Sequence, residues 1–119
     1  FEVEEYAKVA ILLDFYGQLL TQRQYQILDL YYNSDYTLGE IASQLNISRQ
    51  GVHDGLKKGK KTLEELEEKL GLAKRFLKHE ETLKGILSDL RKVKLPGKGK
   101  SEEILDSCIE ELEKVINDL

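Results

Sequence analysis

The residues best suited to chemistry cluster between Ser48 and Thr62. Arg49, Gln50, His53, Lys57, Lys58, Lys60 and Lys61 fall there within about four helical turns, with Asp54 among them. Arginine can pair with guanine, glutamine with adenine, and lysines with phosphates, so the set suits a nucleic-acid contact. Catalytic chemistry finds no comparable support. His53, His79 and Cys108 are not at metal-ligand spacing, and no metal or other cofactor is expected. Gly99-Lys100-Ser101 resembles the end of a phosphate-binding loop, yet Lys94 stands where that loop needs a glycine and no strand precedes it. Glu64, Glu65, Glu67 and Glu68 read as solvent-facing charge. The expectation is a protein with no catalytic residues.

Such a contact must be reconciled with a formal net charge of -4 over 119 residues. Charge is uneven along the chain. Residues 37–62 hold five basic and two acidic groups, and 82–100 hold six and one, whereas 101–119 hold one and seven. Local potential rather than net charge steers a polyanion across a Debye length of about 8 Å. The two positive segments therefore leave a selective nucleic-acid contact open, and the net value argues against indiscriminate binding.

The elements that position these residues are helical. One proline, nine glycines and no tryptophan or methionine, with abundant Leu, Lys and Glu, fit an all-α protein. Val9, Leu12, Leu13, Tyr16 and Leu20 mark a first helix over about 4–19. Thr21-Gln22-Arg23-Gln24 and Thr37-Leu38-Gly39-Glu40 are capping boxes, and Ser48 caps the next helix only three residues after Leu45. Asn46 sits where the chain must turn through the left-handed region. Leu20 with Tyr25, Tyr36 with Ile41 and Ile47 with Val52 form hydrophobic staples. Two short helices joined so tightly read as a helix-turn-helix, whose second helix enters the major groove.

That second helix continues through Val52, Leu56, Leu63, Leu66 and Leu70 to a Gly71 cap. Gly51, Gly55 and Gly59 make a row free of side chains along it, which lets another backbone approach. A packed helix is the preferred occupant of that row, a nucleic acid the other. Long helices follow over about 72–92 and from a Ser101 cap to the end, separated by the basic loop Lys94–Lys100. The pattern divides into a helical domain over 1–70 and an extension over 71–119 that packs on it or on a dimer partner. Apolar stripes after residue 62 exceed what a small tri-helical unit covers, and a symmetric homodimer is expected.

Cys108 lies on the last helix's apolar stripe and is expected to be a buried, inert thiol. A lone cysteine suits a reducing compartment. With no apolar run near the roughly 20 residues that span a bilayer and no signal-peptide pattern, the chain reads as cytoplasmic.

Leu12-Leu13-Asp14-Phe15-Tyr16, Leu20-Thr21-Gln22-Arg23-Gln24, Leu30-Tyr31-Tyr32, Thr37-Leu38-Gly39-Glu40-Ile41-Ala42 and Asn46-Ile47-Ser48-Arg49-Gln50 with Val52 together resemble the YlxM family of small helix-turn-helix proteins. Residues 21–62 are also similar to region 4 of sigma-70 factors, which recognises promoter DNA. The resemblance implies an all-helical regulatory or accessory protein of the signal recognition particle pathway, with that particle's RNA or its GTPase as partner. A DNA-binding transcriptional regulator using Arg49, Gln50 and His53 is the alternative, and a dimer that binds only protein is the third.

Overall fold

A computed structural model of the chain describes residues 2–93 and 99–119, with side chains from Glu4 onward. The Lys94–Lys98 part of the basic loop lies outside the described residues. Six α-helices occur among those described: α1 (Glu2–Tyr16), α2 (Gln22–Leu28), α3 (Leu38–Leu45), α4 (Arg49–Leu70), α5 (Leu72–Lys92) and α6 (Lys100–Asn117). The protein is all-α with a helix-turn-helix at α3–α4. The chain divides into two compact units, Phe1–Ala73 and Lys74–Leu119.

Local rules start and stop most of these helices. The Thr21 hydroxyl accepts the Gln24 amide at 3.1 Å while Gln24 Oε1 accepts the Thr21 amide at 3.3 Å. Thr37 and Glu40 repeat the exchange at 3.1 and 3.0 Å. The amide of Thr37 holds the Glu40 carboxyl below its usual range. Asn46 closes α3 in the left-handed conformation at φ 56°, and the Ile47 amide returns to the Ala42 carbonyl at 3.0 Å. Gly71 ends α4 at φ 62°. After Tyr16 the first helix tightens into a 3-10 turn, Gly17–Leu19, and α2 widens into a π-helical turn, Asp29–Asn33. At the end of that turn Tyr31 and Tyr32 both close on Tyr6, with ring centroids 5.5 and 5.0 Å away.

The first unit has two apolar clusters spanned by one helix. Val9, Leu12, Leu13, Tyr16, Leu20, Leu28, Leu63 and Ala73 form the first. Ile27, Ile41, Ala42 and Val52 form the second, with Tyr36 and Ile47 packed against it, so those two staples join the core. Leu56 touches both clusters. At about 1.5 Å per residue the 22 residues of α4 span about 33 Å, long enough to serve the helix-turn-helix core at one end and the α1 core at the other. The third staple is looser: Tyr25 is 41% exposed and its ring lies over Gly17.

Tyr16, 1% exposed, brings a polar group into this packing. Its hydroxyl donates to Glu67 Oε1 at 2.6 Å and accepts the Leu72 amide at 3.0 Å, and the Ala73 amide donates to the same Glu67 oxygen at 3.1 Å. First-turn amides of a helix lack partners within it, so Tyr16 and Glu67 cap α5 from elsewhere in the unit. Burial, then the Glu67 hydrogen bond, pushes the Tyr16 phenol up. Tyr16→Phe keeps the packing and removes this cap. It is expected to lower unfolding stability by about 1–3 kcal/mol, read from the urea midpoint.

The second unit corrects two sequence expectations. Gly99, not Ser101, occupies the N-cap of α6 and offers no side-chain cap; its carbonyl accepts the Glu102 and Glu103 amides at 3.1 and 3.2 Å. Cys108 is exposed rather than buried. Leu105, Ile109, Leu112 and Ile116 are half-buried, whereas Ile104 and Val115 remain 61% and 49% exposed. The apolar stripe of α6 is wider than one packed seam, and Cys108 falls on its uncovered flank. Leu87 of α5 is buried, and Arg91 pairs with Glu113 at 3.2 Å.

Candidate nucleic-acid interface

Helix α4 begins where the Ser48 hydroxyl accepts the Gly51 amide at 2.9 Å. With 3.6 residues per turn, Val52, Gly55, Leu56, Gly59 and Leu63 fall on one side and face the core. Gly55 and Gly59 permit the closest approach in the unit. A methyl at Gly55 would stand 2.6 Å from Ile27 Cδ1, and one at Gly59 2.6 Å from Leu28 Cδ1. The glycine row is thus where α2 packs. Gly51 differs, because its nearest neighbours are its own cap Ser48 and Ile47.

The opposite side is open. Arg49, Gln50, His53, Asp54, Lys57, Lys58 and Lys61 are all exposed. Gln50, His53, Lys57 and Lys61 share one stripe, Arg49 borders it on one edge and Lys58 on the other. The Arg49 guanidinium lies beside the start of α3, where Gly39 leaves room: a methyl there would be 4.0 Å from Nε. Asp54 sits within the stripe. Its Oδ1 accepts Gln50 Nε2 at 3.1 Å and lies 3.8 Å from His53 Nδ1.

Lys60 is placed apart from the other lysines. Its ammonium pairs with the Glu5 carboxylate of α1, which holds the lysine up and the glutamate down, and Tyr32 lies close enough to add to the effect. Lys60 therefore joins α4 to α1. Beside it, the hydrogen bond to Tyr31 pushes the Tyr6 phenol up to about 12. Neither Glu5 nor this tyrosine group was foreseeable from local spacing, since Glu5 is separated from Lys60 by most of the unit. Beyond Lys61 the positive stripe gives way to Glu64, Glu65 and Glu68, all exposed, whereas Glu67, expected with them to face solvent, is half-buried and accepts the Tyr16 hydroxyl.

Among the described residues no group of three or more His, Cys, Asp or Glu side chains could hold a metal. No helix among them is long and apolar enough to cross a membrane. The arrangement offers hydrogen-bonding groups and positive charge on one rigid helix, suited to base edges and phosphates.

Comparison with known proteins follows the same lines. The sequence model of a family described as "Putative helix-turn-helix protein, YlxM / p13 like" matches residues 3–104. The chain is 48% identical over 110 residues to the UPF0122 protein of Acetivibrio thermocellus, covering 92% of this chain and 94% of the relative. The UPF0122 protein of Thermoanaerobacter sp. strain X514 is 43% identical over 121 residues, with 98% and 97% covered. That of Geobacillus sp. strain WCH70 is 39% identical over 113 residues, with 95% and 98% covered.

Proposed function

This chain belongs to the YlxM/p13-like helix-turn-helix family, and from that premise we propose that it is a non-enzymatic regulatory protein that binds nucleic acid through α4. The observation that carries the proposal is the division of this helix. One side is consumed by Val52, Gly55, Gly59 and Leu63, and the other leaves Arg49, Gln50, His53, Lys57, Lys58 and Lys61 exposed together. Packing of that kind presents side chains on a rigid support, as base contact requires.

The signal recognition particle pathway, which the family resemblance implies, is the proposed cytoplasmic setting. Its RNA is the preferred ligand and its GTPase the protein alternative. The second reading, a DNA-binding transcriptional regulator, draws support from the well-formed Asn46 turn, which brings the first turns of α4 out as the second helix of a helix-turn-helix. Exposed Leu77, Ile86, Ile104 and Val115 on α5 and α6 support a homodimer in either case.

Binding to the particle's RNA and to a randomised DNA duplex pool, each at several salt concentrations, separates these readings. Retention of the RNA with affinity falling steeply in salt is the expected result. Recovery of a preferred duplex site without RNA retention would transfer the assignment to transcription. Failure to bind either nucleic acid would refute the nucleic-acid role.

A further inference from the structure

We infer that Asp54 is a positioning residue that orients the Gln50 amide for adenine, and so sets which nucleic acids α4 selects. The inference rests on the nucleic-acid reading of this helix. It begins from an oddity of charge. Asp54 is exposed in the middle of a basic stripe, where a carboxylate repels every phosphate that the lysines attract. A surface serving phosphate attraction alone gains nothing from it.

The hydrogen bonding gives the carboxylate a use. An ionised carboxylate only accepts, so the Gln50 atom 3.1 Å from Asp54 Oδ1 must be the amide nitrogen and not the oxygen. The four-residue separation places the two side chains one above the other on the helix. His53 Nδ1, 3.8 Å from the same oxygen, flanks it on the other side. The amide that could otherwise turn either way is thereby held one way round.

With one N–H engaged by Asp54, Gln50 keeps one N–H and its Oε1. Adenine offers an acceptor at N7 beside a donor at N6, which match these two groups in a bidentate pair. Guanine offers acceptors at both N7 and O6, so the Oε1 of an oriented Gln50 would meet an oxygen. An amide free to rotate could present a nitrogen to either purine. Orientation by Asp54 converts a tolerant side chain into a selective one. The same adenine edge is available in a DNA major groove and in an unstacked RNA loop.

Two variants separate the charge of Asp54 from its orienting role. Asp54→Asn removes the charge and keeps an acceptor oxygen, whereas Asp54→Ala removes both. The probes are a DNA duplex chosen from a randomised pool by the wild-type chain and an RNA hairpin with an unpaired adenine. Each is made with adenine, guanine or 7-deazaadenine, which lacks the N7 acceptor, at the contacted position. Both variants should bind every probe tighter than wild type at low salt, by about threefold, because one repulsive charge is gone. Only Asp54→Ala should lose the preference for adenine over guanine, by about tenfold; Asp54→Asn should keep it, and all three chains should still disfavour 7-deazaadenine, whose missing N7 no amide orientation replaces. The arm in which this pattern occurs identifies DNA or RNA as the source of the adenine. Retained preference for adenine over guanine in Asp54→Ala, or wild-type binding with no preference for adenine, would overturn the inference and leave the nucleic-acid reading standing. Recovery of no duplex from the pool by the wild-type chain, with no binding to the hairpin or to the particle's RNA, would overturn both.

Discussion

Gly59→Val is expected to destabilise the first unit by about 3 kcal/mol or more, read as a lower urea midpoint. The first added carbon alone would lie 2.6 Å from Leu28 Cδ1 and 3.3 Å from its Cγ. Leu28 is fully buried and shares a cluster with Val9, Leu12, Leu13 and Leu63, so it cannot yield without moving the α1 core. Valine adds two more methyls at a branched carbon with little rotamer choice in a helix. Gly59→Ala is milder, because relief of about 1 kcal/mol from removing a helical glycine offsets about 1–3 kcal/mol of overpacking. Gly85 in α5 provides the contrast: nothing lies within 4 Å of a methyl there, so Gly85→Ala should stabilise by up to about 1 kcal/mol.

A double-mutant cycle tests the cause. Leu28→Ala alone should cost about 2–5 kcal/mol, the range for emptying a buried leucine site. Combined with Gly59→Ala, the new methyl enters part of the vacated space, and the pair should cost less than the two separately, by at least about 0.5 kcal/mol. Additive effects, or a Gly59→Ala chain as stable as wild type with an unchanged Leu28 environment, would show that the glycine is not where α2 seats.

The same glycines illustrate what the sequence could disclose. Their four-residue spacing showed that some backbone comes close, and the capping boxes at Thr21 and Thr37 placed α2 and α3 around it. These are local rules, acting through neighbours in the chain and therefore visible in it. Which glycines matter depends on register between two helices: Gly55 and Gly59 meet Ile27 and Leu28, whereas Gly51 meets only its own cap. The π-helical turn at Asp29–Asn33 was hidden for the same reason, since nothing in a Leu-Tyr-Tyr run distinguishes it from an ordinary helical turn. Tyr16 was legible as a core residue, but the Glu67 and Leu72 partners of its hydroxyl come from the far end of the unit.

At the candidate site, side-chain types were readable and their allegiances were not. All four lysines between 57 and 61 carry the same charge and look equivalent in a segment count. Lys60 is claimed by Glu5 because α1 crosses α4 at that turn. Asp54 was visible among the basic groups, yet its role as an acceptor for Gln50 follows from side-chain geometry. Cys108 shows the converse error, in which a helical stripe correctly placed a residue among apolar neighbours while the packed seam covered only part of that stripe.

Reversing Lys57, Lys58 and Lys61 to glutamate together is expected to reduce low-salt nucleic-acid affinity by at least about 100-fold. If each lysine neutralises one phosphate, the slope of log affinity against log salt should fall by about 2.7 for a B-DNA ligand and about 2.1 for a single strand. The three are exposed, so circular dichroism and the urea midpoint should stay close to wild type. Lys60→Ala has the opposite profile: its ammonium is held by Glu5, so the salt slope should change little while the seating of α1 on α4 weakens. The two variants thereby separate charge that binds a ligand from charge that binds the fold. Glu64, Glu65 and Glu68 end the positive surface on the following turns, so the proposed contact covers the first 13 residues of α4, a stretch of about 20 Å. A footprint that short makes each of its three exposed lysines count. An unaltered salt slope in a folded triple variant would therefore place the phosphate contacts elsewhere on the molecule.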